Sequence, residues 1–229
     1  MSDSIRPQTP KPRGRTAPED TRKELIEATL AILAEPAADL SLRSVCKRIG
    51  RSQIAAYTAF GKERDGGGFV ALLAAVAAHG FELLAESLRS TKLLMSGDPA
   101  DHFRDVAAAY LEFARLNPRL YRLMFGQQLS NKLHIQGLGV ARWGAQQVLL
   151  DVVSSLKATG PTAEDDPLDS AICAWALMHG VSELLLDGQL DLVFGRDRTK
   201  SFERYAADTL LGGLSGSDRQ QIPLFPASE

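Results

Sequence analysis

Apolar residues recur along most of this chain at the three- and four-residue spacing of helices, and nowhere do they alternate singly as in a half-buried strand. The first such stretch opens at Thr16-Ala17-Pro18-Glu19, a capping-box pattern with proline early in the first turn. It runs to about Glu35 with Leu25, Ile26, Thr29, Ile32 and Leu33 on one side, and Pro36 ends it. Residues 41–60 then predict two short helices. Ser41 caps the first, whose Leu42, Val45 and Ile49 share a face, and Gly50 supplies the left-handed residue that stops it. Ser52 caps the second only two residues later. A corner so short makes the helices cross steeply, which is the helix-turn-helix arrangement that seats a helix in a DNA major groove.

Beyond it, Gly61 to Gly68 contains three consecutive glycines and predicts a flexible joint. Phe69 to about Ser90 predicts a long apolar helix linking two parts of the molecule. Asp98-Pro99 starts a helix to Leu116, Asn117-Pro118 interrupts it, and a shorter one reaches Phe125. Leu133 to Thr159 predicts one long helix, Gly160-Pro161 a break, Pro167 to about Asp187 another helix, and Ser201 to Leu211 the last. The expected fold is all-α: a three-helix helix-turn-helix domain at 16–68, joined by a long helix to a larger helical domain at 69–212. Residues 1–15, with Pro7, Pro10 and Pro12 and no apolar periodicity, predict a disordered arm, and 213–229 a flexible tail.

Composition narrows the function. The chain of 229 residues is 45% hydrophobic, enough for a sizeable core, and its longest apolar run, Phe69 to Ala78, falls short of the roughly 18–20 residues that cross a membrane. Basic residues near the start have no apolar stretch behind them, so no secretory signal is expected. Cys46 and Cys173 lie on apolar helix faces and read as buried free thiols in a reducing cytoplasm. A net charge of −2 hides an asymmetry: residues 1–64 carry +4 and the rest −6, as suits one end that faces a polyanion. His79, His102, His134 and His179 share no metal-ligand spacing, although His179 and Glu183 stand four apart on one helix face. There is no nucleophile elbow, P-loop or dinucleotide fingerprint, so no enzyme activity and no cofactor are expected.

The head resembles the TetR family of bacterial transcription regulators in Ser41, Arg43, Val45, Ile49, Gly50, Ser52, Tyr57 and Phe60. The second half is similar to the family's ligand-binding domain named for its Trp, His and Gly. The matching segments are Tyr110-Leu111-Glu112-Phe113-Ala114, Asn117-Pro118, Tyr121-Arg122-Leu123-Met124-Phe125 and Trp175-Ala176-Leu177-Met178-His179-Gly180. Four positions depart from the pattern. Arg51 stands where an apolar residue is usual, Ala56 where a leucine packs, Glu63 where a lysine meets phosphate, and the glycine segment lengthens the joint. Two outcomes are open at Ala56: a head looser than usual, or Ile54 filling the space.

The resemblance implies a homodimer that binds a pseudo-palindromic double-stranded operator and represses until a small-molecule effector releases it. Ser41, Arg43, Arg51, Ser52, Gln53, Ala55, Tyr57 and Lys62 are the DNA-contact candidates. Gln53 can pair with an adenine edge and Ala55 touch a thymine methyl, while Ser41, Ser52, Tyr57 and Lys62 hold phosphates. Ser41 and Ser52 also serve as plain caps, and Arg13 and Arg15 of the arm suit a minor groove. Phe113, Tyr121, Met124, Phe125, Trp175, Met178 and His179 are the candidates for an effector cavity, with core packing the alternative for each. The dimer interface implied is a four-helix one from about Leu138–Leu156 and Pro167–Asp187, with Val148, Val152, Leu168 and Ile172 facing the partner. The departures in the head leave a second reading open, a helical ligand-binding dimer with weak or lost DNA binding.

Overall fold

A computed structural model describes residues 18–61, 67–91, 97–158 and 166–214, and among these there are helices and turns but no strand. Helix α1 (Pro18–Ala34) lies across α2 (Leu42–Arg48) and α3 (Gln53–Phe60) to make a three-helix head. Ser41 caps α2 in a reciprocal box with Ser44, and Ser52 caps α3 through the Ala55 amide. Each such cap is worth about 1 kcal/mol. Gly50 has φ +64°, and the Gly50 and Arg51 amides donate to the Lys47 and Cys46 carbonyls, the paired closure that a left-handed glycine allows. Leu25, Val45 and Ala56 close the head's core with no accessible surface.

The body is built on α4 (Phe69–Ser90), which packs along α7 (Leu138–Lys157) and against α5 (Pro99–Leu116) and α6 (Pro118–Phe125). Helix α8 (Pro167–Leu186) covers α5 and α7; α9 (Gln189–Phe194) and α10 (Arg196–Leu214) close the outer side. Proline opens α5, α6 and α8, where its missing N–H is harmless, and Asp98 and Asp166 cap two of them through the Ala100 and Leu168 amides. Taken whole, α4 is long and apolar enough to cross a membrane, a property its ten-residue apolar run understates. About two thirds of that stretch is buried here, as befits a core helix.

Several expectations need correction. The long helix expected from Leu133 starts at Leu138. Before it, Gln136 and Gly137 both have positive φ, and the Gly139 amide donates to the Leu133 carbonyl at 2.8 Å, so the glycines make a tight corner. Helix α9 was not expected, and α10 is longer than Ser201–Leu211 at both ends. Its first turn is charged and exposed and therefore has no apolar period, while Gly188 and Gly195 set the corners with positive φ. Leu211 and Leu214 are buried, so residues 213 and 214 belong to the body and not to a loose tail. Cys173 is exposed, against expectation, while Cys46 is buried. Val148 and Val152 are buried within the subunit and cannot face a partner. The arm, the Thr16-Ala17 cap, Lys62, Glu63, Gly66, the 160–161 break and the end of the tail lie outside the described residues.

Candidate nucleic-acid interface and inner cavity

Helix α3 turns Ala56 and Phe60 inward, which leaves Gln53, Ile54 and Thr58 exposed. Ile54, 76% exposed, does not fill the space beside Ala56; it stands on the outer face beside Gln53. Sequence reasoning allowed it in the core by composition. Its position one residue after Gln53, away from the Ala56–Phe60 pair, is the signal that places it outside. Ala55 is half-buried at the edge of this face. Tyr57 is half-buried too, its ring so close to Gly68 that a Cβ there would lie 2.3 Å from it. The Gly68 amide also donates to the Gly61 carbonyl at 2.9 Å. Both ends of the expected flexible joint are therefore held, and the end of α3 rests on the start of α4.

The other candidates separate into free and engaged groups. Arg43 projects from α2 without an acidic partner among the described residues, and so does Lys47, which the sequence reading did not pick. Ser52 is exposed and keeps its hydroxyl proton for a further acceptor. The Ser41 hydroxyl is engaged, accepting from the Ser44 amide and donating to the Asp39 carboxylate at 2.8 Å. Arg51 donates twice to Glu24 of α1, at 3.1 and 3.2 Å. The charge that looks foreign at the corner thus ties the corner to α1. Residues 18–61 hold six basic and six acidic side chains, so the basic surplus of the N-terminal third resides in sequence outside the described head.

Head and body are joined by arginines. Arg119, at the start of α6, donates to the carbonyls of Ile32, Glu35 and Ala38 at 2.8, 2.7 and 2.6 Å, where α1 ends and its carbonyls lack helical partners. Arg22 of α1 lies 4.5 Å from the centre of the Phe60 ring and donates to Gln136 of the body. No local pattern announces either head-to-body contact, since Gln136 lies 114 residues from Arg22, and the carbonyls that Arg119 reaches lie 81–87 residues from it.

Inside the body, α4, α5, α7 and α8 surround a cavity of about 20 Å³, room for roughly one water molecule. Phe125, Trp175 and Met178, three of the effector-cavity candidates, line it together with Phe81, Leu84, Val106 and Leu149. Phe113 is buried elsewhere in the core, and Met124 packs beneath α4, its sulfur 2.7 Å from where a Gly80 Cβ would stand. Tyr121 and His179 form a polar edge beside the cavity. The Tyr110 and Tyr121 hydroxyls are 3.0 Å apart, and that of Tyr121 lies 2.6 Å from His179 Nδ1. Burial holds the Tyr110 phenol well above its ordinary range and pushes Tyr121 up to about 12. Burial also lowers the His179 pKa, which favours the uncharged ring at neutral pH, and its Nδ1 shares a hydrogen bond with the Tyr121 hydroxyl. Trp175 stacks on His179 at 5.7 Å between centroids. Sequence reasoning missed Arg142, whose guanidinium lies 5.7–6.0 Å from the centres of the Phe81, Phe125 and Trp175 rings. The signal was a charge on the same helix face as Leu138, Ala145 and Leu149, which are buried.

Residues 103–209 match the family of tetracyclin repressor-like C-terminal domains. A solved structure of a protein of unknown function from Rhodococcus sp. RHA1 is similar at 24% identity and TM-score 0.67, over 90% of this chain and 100% of that one. A TetR transcriptional regulator from the same organism is similar at 22% identity and TM-score 0.57, over 86% and 99%. No curated protein matches the sequence. The tetracyclin repressor-like match covers the body, residues 103–209, and the likeness to the solved structures, head included, is one of fold.

Proposed function

We propose that this protein is a TetR-type transcription regulator: a homodimer that reads operator DNA with α3 and a repressor released by a small molecule bound in the inner cavity. The observation that carries the reading is the double role of α6. Within eight residues that helix holds the head, through Arg119, and walls the cavity, through Phe125 and the Tyr121–His179 edge. A ligand that widens the cavity displaces α6, and Arg119 passes the displacement to the end of α1. DNA affinity then changes by the ligand's differential affinity for the two head positions.

Gln53 and Ile54 read base edges in this account, while Ser52, Tyr57, Arg43 and Lys47 set register on phosphates, with Lys62 and the basic arm adding to them. Arg51 and Ser41 shape the corner. The domains divide at the joint, head 16–68 and body from Phe69 onward. The partner subunit is expected against α8, where Leu168 and Ile172 stand exposed on one face of the helix. Such a protein acts where the DNA is, in the cytoplasm.

Fluorescence anisotropy with duplexes from upstream of the protein's own gene tests the reading. Gln53→Ala should weaken specific binding by 1–3 kcal/mol, about 5- to 150-fold, with the fold intact. Equal binding by the variant overturns it. A second reading, a ligand-binding dimer without operator recognition, draws on Ala56 and on the charge balance of the described head. It predicts no specific shift for either protein.

A further inference from the structure

We propose that the inner cavity is built for a monoanion: its ligand is a small amphipathic carboxylate whose charged end pairs with Arg142 and whose apolar body lies along Leu84, Leu88, Val106 and Leu149. The proposal rests on the regulatory reading only for what binding does to DNA affinity. Arg142 sets the chemistry. Arg104, Arg115, Arg119 and Arg122 all donate to carboxylates or backbone carbonyls. Arg142 faces the cavity and lies among three aromatic rings instead, with no hydrogen-bond acceptor or acidic partner among the described residues. Rings attract a guanidinium electrostatically but accept none of its five N–H donors in the plane of the fork, and Arg142 is only partly exposed to water.

The remaining lining is apolar apart from Gln146 and the Tyr110 hydroxyl, which Tyr121 engages; Glu183 acts electrostatically on Tyr110, Tyr121 and His179 but does not line the cavity, so Arg142 is the charge in the lining. A cation is repelled from such a site. A neutral polar group leaves the guanidinium without a counter-charge, whereas a carboxylate meets its planar fork with two charge-assisted hydrogen bonds. A phosphate dianion brings more charge than one arginine neutralises, and the surplus is costly in apolar surroundings.

The packing also supplies room. A groove of about 390 Å³ between α7 and α8 shares Gln146, Leu149 and Trp175 with the inner cavity; its rim residues Leu168 and Ile172 are those expected to face the partner, so in the dimer it is an annex of the cavity. Trp175 is half-buried between the two. Turning its ring joins them into one space within the roughly 300–1,000 Å³ that small-molecule sites occupy. Trp175 is thus both door and reporter.

The test uses the full chain without DNA. Calorimetry and tryptophan fluorescence are recorded with hexanoate, octanoate, decanoate and 4-phenylbutyrate and with the matching primary amides. At least one acid should bind about ten-fold or more tightly than its amide. Arg142→Gln should bring the pair within about two-fold while the thermal melt stays cooperative, and Arg142→Lys should keep part of the preference. Amides that bind as well as acids, an undiminished preference in Arg142→Gln, or no binding of any acid at millimolar concentration would each overturn the proposal. An acid that binds through Arg142 and leaves operator affinity unchanged upholds the site and removes the regulatory reading.

Discussion

Replacing Arg119 by methionine tests the joint between reading head and sensing body. The side chain donates at 2.6–2.8 Å to three carbonyls at the end of α1, and Met keeps most of the aliphatic stem. A net hydrogen bond contributes about 1 kcal/mol, and a cation at a helix C-terminus a further 0.3–1 kcal/mol. Two of the three bonds are half-buried and one is exposed, so water replaces part of what is lost. The expected loss is about 2–3 kcal/mol, or roughly 4–12 °C in melting temperature for a chain of this size. Amide hydrogen exchange localises the effect: protection should fall along α1 and at the turn through Ala38, while α7 and α8 exchange as before. A variant within about 0.5 kcal/mol of the parent, with unchanged exchange in α1, refutes the clamp and the α6 route with it.

Three further outcomes follow from the same geometry. Gly68→Ala forces a Cβ into the Tyr57 ring at a residue with φ +66°, and should cost about 1–3 kcal/mol in denaturant unfolding; Gly61→Ala has φ +83° but open space and should cost less, so equal losses would disprove the Tyr57 contact. Burial depresses the His179 pKa, so its contribution to stability is complete above its ordinary value of 6.5, falls as pH drops through 6.5 and levels off below the folded-state value. Melting curves of His179→Asn should accordingly fall less steeply between pH 8 and 5, and parallel curves would contradict the burial argument. Ile172, half exposed on α8, should become intolerant of charge if a partner covers it: Ile172→Arg should yield monomers in sedimentation at micromolar concentration, and an unchanged mass places the interface elsewhere.

What could be read in the sequence was whatever local chemistry decides. Ser41, Gly50, Ser52, Asp98 and Asp166 act on amides within a few residues of themselves, and the helices they bound were predicted nearly to the residue. The corner at Gln136-Gly137 and the short α9 were missed because a few positive φ values, not apolar period, define them. Of the cavity candidates, Phe125, Trp175 and Met178 line it, while Phe113 and Met124, equally apolar, went into packing. Nothing in a one-dimensional pattern separates a cavity wall from a core. Arg51, Arg119 and Arg142 show the same limit for charge. Their roles are set by Glu24, by the end of α1 and by three rings, all distant in sequence.

The central claim is that the outer face of α3 reads DNA as one half of a two-fold pair. Footprinting of the full-length protein on genomic fragments at fixed, near-physiological salt measures it most directly. The account predicts protected sites with two-fold sequence symmetry, half-sites separated by about 10–10.5 base pairs or a multiple, and loss of protection in Gln53→Ala. Protection that follows no sequence and disappears with modest added salt, in parent and variant alike, would contradict it.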